Sequence, residues 1–326
     1  MGTLIRKSLD IRSWDAGQAL LRKWEAEGAG AKLVTIADAV SRSTEGAKAR
    51  KLTDATLSKY RVLLTALEKF GKGRGIGFVR SLSVQDVRDF RASWKDSAIS
   101  AYKKLERLWA FLRFCVDSKW LDDNPAKGVK PPKVTTPPTL PFTEDEMKRI
   151  LEACDQYRRK NSLGQDNRAR IKAFVLLLRY SGLRPQDATT LEKSRLTDGK
   201  LFLYTQKTGT PVYIPLPPQA VEAITSIRPA SDDRFFWSGV GHPRSCMSVW
   251  DRSLRRVFKL DEIEGRHNAH RFRDTLSVGL LQAGVPIEQV AVLLGHSSVR
   301  VTEKHYSPWV RSRQEKSEEA VQQSWR

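Results

Sequence analysis

The chain has 326 residues, and 57 Lys and Arg against 37 Asp and Glu leave a formal net charge of +20. Such an excess favours a polyanionic partner, because each phosphate neutralised releases condensed counterions, and nucleic acid leads that class. No apolar run approaches the roughly 20 residues that span a bilayer, and the charged stretch from Met1 to Arg12 lacks the apolar core of a secretory signal. A soluble protein of the cytoplasm, associated with the nucleoid, is therefore expected. The three cysteines, Cys115, Cys154 and Cys246, are far apart and form no Cys-x-x-Cys or Cys/His cluster, so neither a disulfide nor a metal site is expected.

Length suggests about two domains. Residues 1–44 form an N-terminal helical extension to which the sequence assigns no role, with one amphipathic helix from Trp14 to Glu27 and a short one near Ile36 to Val40. Residues 45–129 predict a helical bundle. Leu57, Tyr60, Leu63, Leu64, Leu67 and Phe70 make one stripe behind a Thr53 N-cap, and Leu105, Leu108, Phe111, Leu112 and Cys115 make another. Between them, Ser83-Val-Gln-Asp86 reads as the capped start of a third helix through Phe90. Residues 130–142, Lys130-Pro-Pro-Lys-Val-Thr-Thr-Pro-Pro-Thr-Leu-Pro141 and Phe142, are a linker, since the prolines remove amide donors and hold the backbone extended.

A second domain is expected over residues 143–312. Thr143-Glu-Asp-Glu146 is a capping box that starts a helix to about Tyr157, and the apolar stretch from Ala169 to Tyr180 predicts a core helix ending at Ser181-Gly182. Leu201 to Tyr204 and Val212 to Pro215 flank Lys207-Thr-Gly-Thr210 as a β-hairpin, after which helices resume from about Gln219. Residues 313–326 are a tail. The stretch from Arg311 to Arg326 is read equally as a helix that docks on a neighbouring subunit and as a solvated end.

Several side chains in this second half suit a phosphate. His270 and Arg273 are three apart on one helical face, pairing a proton-exchanging imidazole with a planar fork of donors. Arg184 emerges where the core helix has just ended, and Asp187 follows it, able to hold Arg184 or to cap the next helix. Lys207 sits at the hairpin tip, and His296 follows a helix closed by Gly295. Tyr306, in Lys304-His-Tyr-Ser-Pro308, carries a phenol that is a poor nucleophile until deprotonated. Each has a plainer reading by itself: a solvated face, a charge on a helix dipole, a turn lysine, a surface histidine, a packing tyrosine.

Taken in order, these pieces resemble the tyrosine recombinase or phage integrase family. Ser181-Gly-Leu-Arg-Pro-Gln-Asp187 is similar to the family's box around its first arginine, and Ala269-His-Arg-Phe-Arg-Asp-Thr275 to its second box. Leu293-Leu-Gly-His-Ser297 and Thr302-Glu-Lys-His-Tyr306 follow in the same order and at similar spacing. The resemblance covers residues 53 to 312. It implies a mainly α fold with a small β-hairpin or sheet: a SAM-like, core-binding helical bundle and a mixed α/β catalytic domain, forming a clamp round duplex DNA. It implies a site-specific recombinase that cleaves and rejoins DNA through a 3′-phosphotyrosyl intermediate, without cofactor or metal. Tyr306 would be the nucleophile, Arg184, Lys207, His270, Arg273 and His296 the other catalytic residues, and Asp187 a support. Double-stranded DNA and a homotetramer on two duplexes are the implied partners, with room for DNA-bending accessory proteins. A type IB topoisomerase-like relaxase, or a DNA-binding accessory protein that kept the fold and lost the chemistry, are the alternatives. His242, His267 and His305 are expected to be structural or exposed.

Overall fold

The chain divides between Thr136 and Pro137 into two units, each with its own core. The computed structural model describes residues 14–15, 17–18, 33–135, 140–158, 166–260, 262, 268–310, 315, 318 and 321–325. Most of the expected helix from Trp14 to Glu27, most of the stretch from Arg311 to Arg326, and His267 lie outside the described residues.

In the first unit, α1 (Ile36–Ala49), α2 (Asp54–Gly73), α3 (Val84–Ala92) and α4 (Ala98–Asp117) share one core. The stripes meet as their period requires: Leu63, Leu64 and Leu67 of α2 pack with Leu108, Phe111 and Leu112 of α4, all almost fully buried. Ser83 and Asp86 form a reciprocal capping box at the start of α3. Two expectations need correction. A boundary at 44/45 would cut through α1, whose Ile36 and Ala39 are buried in this same core. The short helix expected near Ile36 to Val40 is the start of α1, and the polar run Ser41-Arg-Ser-Thr-Glu-Gly46 hides its continuation, because only one of its faces is covered. Thr53 stands at the N-cap of α2 as expected, but its hydroxyl caps no amide and meets that of Thr56 at 3.0 Å instead.

In the second unit, Thr143 and Glu146 cap α5 (Glu144–Asp155) reciprocally, at 3.1 and 2.8 Å. Helix α6 (Arg168–Ser181) runs through the core, with Ile171 and every residue from Ala173 to Leu178 buried. At roughly 1.5–3 kcal/mol for each large side chain, this burial anchors the unit. Short α7 (Pro185–Thr189) follows, then an antiparallel sheet in the order β1 (Leu196–Thr197), β2 (Lys200–Tyr204), β3 (Pro211–Pro215). The β2–β3 register sets Leu201 opposite Ile214 and Leu203 opposite Val212 on the buried face. Strand β1 was not anticipated, since two residues carry no periodic signal.

Helices α8 (Pro218–Ser226), α9 (Pro243–Leu260), α10 (His270–Gln282), α11 (Ile287–Leu293) and α12 (Val299–Tyr306) complete the unit. Arg271, in the first turn of α10, pairs with Glu146 at 2.9 Å and donates to the Leu140 carbonyl at 2.9 Å. The start of α10 is thereby fastened to the segment entering α5. A smaller apolar cluster joins Val278 and Leu281 of α10 to Ile287 and Val290 of α11, Leu294 and Tyr306.

Candidate active site

The site is built on two helix ends, each closed by a left-handed glycine. Helix α6 stops because Gly182 turns left-handed (φ +58°), and the turn after α11 is closed by Gly295 (φ +61°). At both glycines a Cβ would also collide with packed neighbours, 2.8 Å from Leu276 at Gly182 and 2.7 Å from Val212 at Gly295. Helix C-termini carry orphan carbonyls and the negative end of the dipole. Both ends meet the same cation: Arg273 donates from Nη1 to the Gly182 carbonyl (2.7 Å) and from Nη2 to the Leu294 carbonyl (2.6 Å). Arg273 is only 5% exposed, and burial, with Arg184 nearby, pushes its pKa down to about 10.

Two residues beyond each of those carbonyls stand Arg184 and His296. Arg184 is the N-cap of α7, and its Nη1 is buried without a hydrogen-bond partner. Buried donors are seldom left so. Asp187 does not cap that helix. It lies within α7, and its Oδ1 accepts the amide of Gln206 at 3.0 Å, while Oδ2 is buried and unpartnered. Burial raises the Asp187 pKa, against the opposing pull of the Gln206 amide, Arg184 and Arg273. The β2–β3 turn is therefore tied at one point to α7 and at another, through Thr208 Oγ1 to the Gly295 carbonyl (3.3 Å), to the end of α11. Exposed Lys207 projects from the turn between those ties.

His270 begins α10 and His296 follows Gly295. His270 keeps contact with solvent, yet burial first, then the cations Arg273, Arg184 and Lys207, lower its pKa to about 4. His296 is lowered to about 3 by burial and by Arg273, Arg184, His305 and Lys207. Both imidazoles are thus neutral at pH 7. The same three cations, Arg184, Lys207 and Arg273, lie near enough to act on both rings. His296 Nδ1 lies 2.8 Å from Thr302 Oγ1, which leaves Nε2 for another partner.

Tyr306 closes α12 beside this space, 6% exposed. Its hydroxyl donates to Asp274 Oδ1 at 2.5 Å. Burial first, then the Asp274 carboxylate, raise the phenol pKa above its usual value, while Arg273 and Ser277 oppose the rise. Asp274 and Thr302 were not assigned roles from sequence, although both stand inside the boxes quoted for the resemblance. His242 and His305 are exposed. Among the described residues no group of three or more His, Cys, Asp or Glu side chains could hold a metal ion, and no helix is long and apolar enough to cross a membrane.

Three cations and two imidazoles near a buried tyrosine are a set suited to an anion, in a mainly helical domain with a small sheet. Residues 141–309, just over half the chain, match the profile of the Phage integrase family, and the chain belongs to that family. Tyrosine recombinase XerC of Chlamydia muridarum is 23% identical over 209 residues, covering 61% of this chain and 64% of that protein, somewhat under two thirds of its length. Tyrosine recombinase XerD of Mycobacterium leprae is 26% identical over 284 residues, covering 78% of this chain and 87% of that protein. The fold is shared with a lambda integrase dimer bound to a COC′ core site, at TM-score 0.67 and 17% identity over 88% of this chain and 80% of that one. It is shared also with a lambda integrase tetramer bound to a Holliday junction, at TM-score 0.62 and 17% identity over 86% of each.

Proposed function

We propose that this chain is a site-specific DNA recombinase that cleaves and rejoins duplex DNA through a covalent link to Tyr306. The phenol oxygen bonds to phosphorus as the bond from phosphorus to the 5′ oxygen breaks, leaving a 3′-phosphotyrosyl end. The departing oxygen takes the bonding electron pair and a proton from Lys207. Arg184 and Arg273 hold the nonbridging oxygens, where charge builds in the transition state. His296 donates from Nε2 to the phosphate, with Thr302 fixing the tautomer, and Asp187 braces the turn that carries Lys207.

His270 takes the phenol proton. Burial first, then three nearby cations, depresses its basicity, and a bound phosphodiester offsets the cationic part, so the imidazole regains some basicity when DNA is in place. Rejoining reverses each transfer, and the phosphotyrosyl link conserves the bond energy meanwhile. The single observation that carries this reading is the buried, unpartnered Arg184 Nη1 in a site whose cations converge on two neutral imidazoles.

Strand exchange needs two duplexes and four cleavages, so the reading includes a homotetramer on DNA. The lambda integrase tetramer on a Holliday junction supports that assembly. DNA-bending accessory proteins would act with it, and its place is the cell's own DNA. The test is a pool of duplexes with randomised flanks around one 5′-bridging phosphorothiolate, whose thiol leaving group cannot rejoin. Wild-type chain becomes covalently attached and selects one family of sequences, whereas Tyr306→Phe does not. Absence of attachment across the pool would sink the reading in favour of a binding-only protein. Relaxation of a supercoiled plasmid without exchange between two selected sites would point to a relaxase.

A further inference from the structure

We infer that Asp274 is a positioning residue that holds the Tyr306 hydroxyl by its proton, so that the chain off DNA keeps its nucleophile restrained. This rests on the reading of Tyr306 as the nucleophile. Three observations carry it. The hydroxyl proton is committed to Asp274 Oδ1 across 2.5 Å, in a bond between helices α10 and α12. The side chain lies in the apolar cluster with Val278, Leu281, Val290 and Leu294, which leaves the residue 6% exposed. Ser277, one turn after Arg273 on α10, meets the same phenol and donates its own proton to the Arg273 carbonyl at 2.7 Å.

In-line attack requires a phenol lone pair aimed at phosphorus and a proton free to leave. In the observed arrangement the phenol proton is already held by Asp274. The carboxylate also places negative charge where a phosphodiester must approach, offset by Arg273, His305 and Arg271 around it. A group with that charge at that position acts against premature attack unless it takes the proton during attack, and the two roles have opposite consequences. Removing a restraint quickens covalent attachment, whereas removing a proton acceptor slows it.

Asp274→Asn keeps the shape and a side-chain oxygen but loses the charge. On the selected phosphorothiolate duplex it should attach about tenfold faster than wild type, the ratio separating a charge-assisted from a neutral hydrogen bond. Tetranitromethane nitration, mapped by mass spectrometry, needs no DNA. It should rise at Tyr306 in Asp274→Asn while buried Tyr157 stays unmodified, which separates release of one phenol from general loosening. Asp274→Glu should bring both readouts back towards wild type, and Asp274→Ser supplies the same test should the asparagine variant fold poorly. Slower or unchanged attachment in folded Asp274→Asn overturns the proposal, as does nitration at Tyr306 no greater than in wild type. Adding Tyr306→Phe to Asp274→Asn must abolish attachment. If attachment persists there, the nucleophile assignment fails, and the nitration result alone then judges the restraint.

Discussion

The two arginines assigned to the phosphate should behave oppositely when stability is measured. Arg273→Met keeps most of the buried stem but removes the donors that serve the Gly182 and Leu294 carbonyls at 2.7 and 2.6 Å. A buried acceptor left unpaired costs about 1–3 kcal/mol. Two such losses are partly offset by relief of the desolvation that lowers the Arg273 pKa to about 10, so a net loss of about 2–4 kcal/mol is expected. For a unit of this size that is roughly 5–15 °C in melting temperature. Arg184 presents the contrary case, because its buried Nη1 has no internal partner to lose. Arg184→Met should stay within about 0.5 kcal/mol of wild type or gain stability. Calorimetry of the full chain, with and without sulfate, is the assay. Sulfate should raise the wild-type transition by mass action and should fail to do so in Arg184→Met. Equal destabilisation by the two substitutions would refute the view that Arg273 is built into the fold while Arg184 waits for a ligand.

Lys207→Ala should lose attachment on ordinary nicked DNA by about a hundredfold or more, the usual weight of general acid catalysis. On the phosphorothiolate duplex it should regain near wild-type rates, because a thiolate leaves without a proton; a defect equal on both substrates would remove Lys207 from that role. Thr302→Val should lower attachment about tenfold without moving the melting temperature by more than a few degrees, since it frees the His296 ring that Thr302 orients at 2.8 Å; an unchanged rate would show that the contact sets no tautomer. The histidines also predict a pH slope. Their pKa values fall from 6.5 to about 4 and about 3 on folding, so below pH 6.5 the unfolded chain binds more protons than the folded one. Their contribution is then fully present above pH 6.5 and lost as pH falls towards 4 and 3. Melting temperatures from pH 7.5 to 5 should decline less in the double variant His270→Asn, His296→Gln, and identical slopes would contradict the assignment.

The elements that could be read from sequence are those whose evidence is local. Thr143 with Glu146, and Ser83 with Asp86, satisfy each other's backbone within one turn, so four residues of sequence suffice to specify the cap. Thr53 looked alike but failed, because its partner three positions on is Thr56, and the hydroxyls meet each other instead of the amide. The apolar stretch of α6 is visible because it is buried nearly all round, whereas only the first turn of α1, near Ile36 to Val40, is legible and its continuation lies behind serines and a glycine. The six residues assigned to the phosphate were placed by order and resemblance. Their physical coupling was not visible, since it runs through contacts that join residues far apart in the chain.

Arg273 shows why such short words of sequence can mark a site. Ser181-Gly-Leu-Arg184 and Leu293-Leu-Gly-His296 look unrelated, yet each ends a helix, turns through a left-handed glycine, and gives one carbonyl to Arg273. The carbonyl comes two residues before the side chain proposed to meet the phosphate. The guanidinium thus fixes the separation between Arg184 and His296 by binding the backbone of both, and the β2–β3 turn joins the same frame through Asp187 and the Gly295 carbonyl. A lysine at 273 would keep the charge but could not span two carbonyls with a rigid fork. Arg273→Lys should therefore impair attachment nearly as much as Arg273→Met, while retaining more of the response to sulfate than Arg184→Met. A lysine variant that attaches at the wild-type rate would mean that charge alone, without this fixed frame, organises the site.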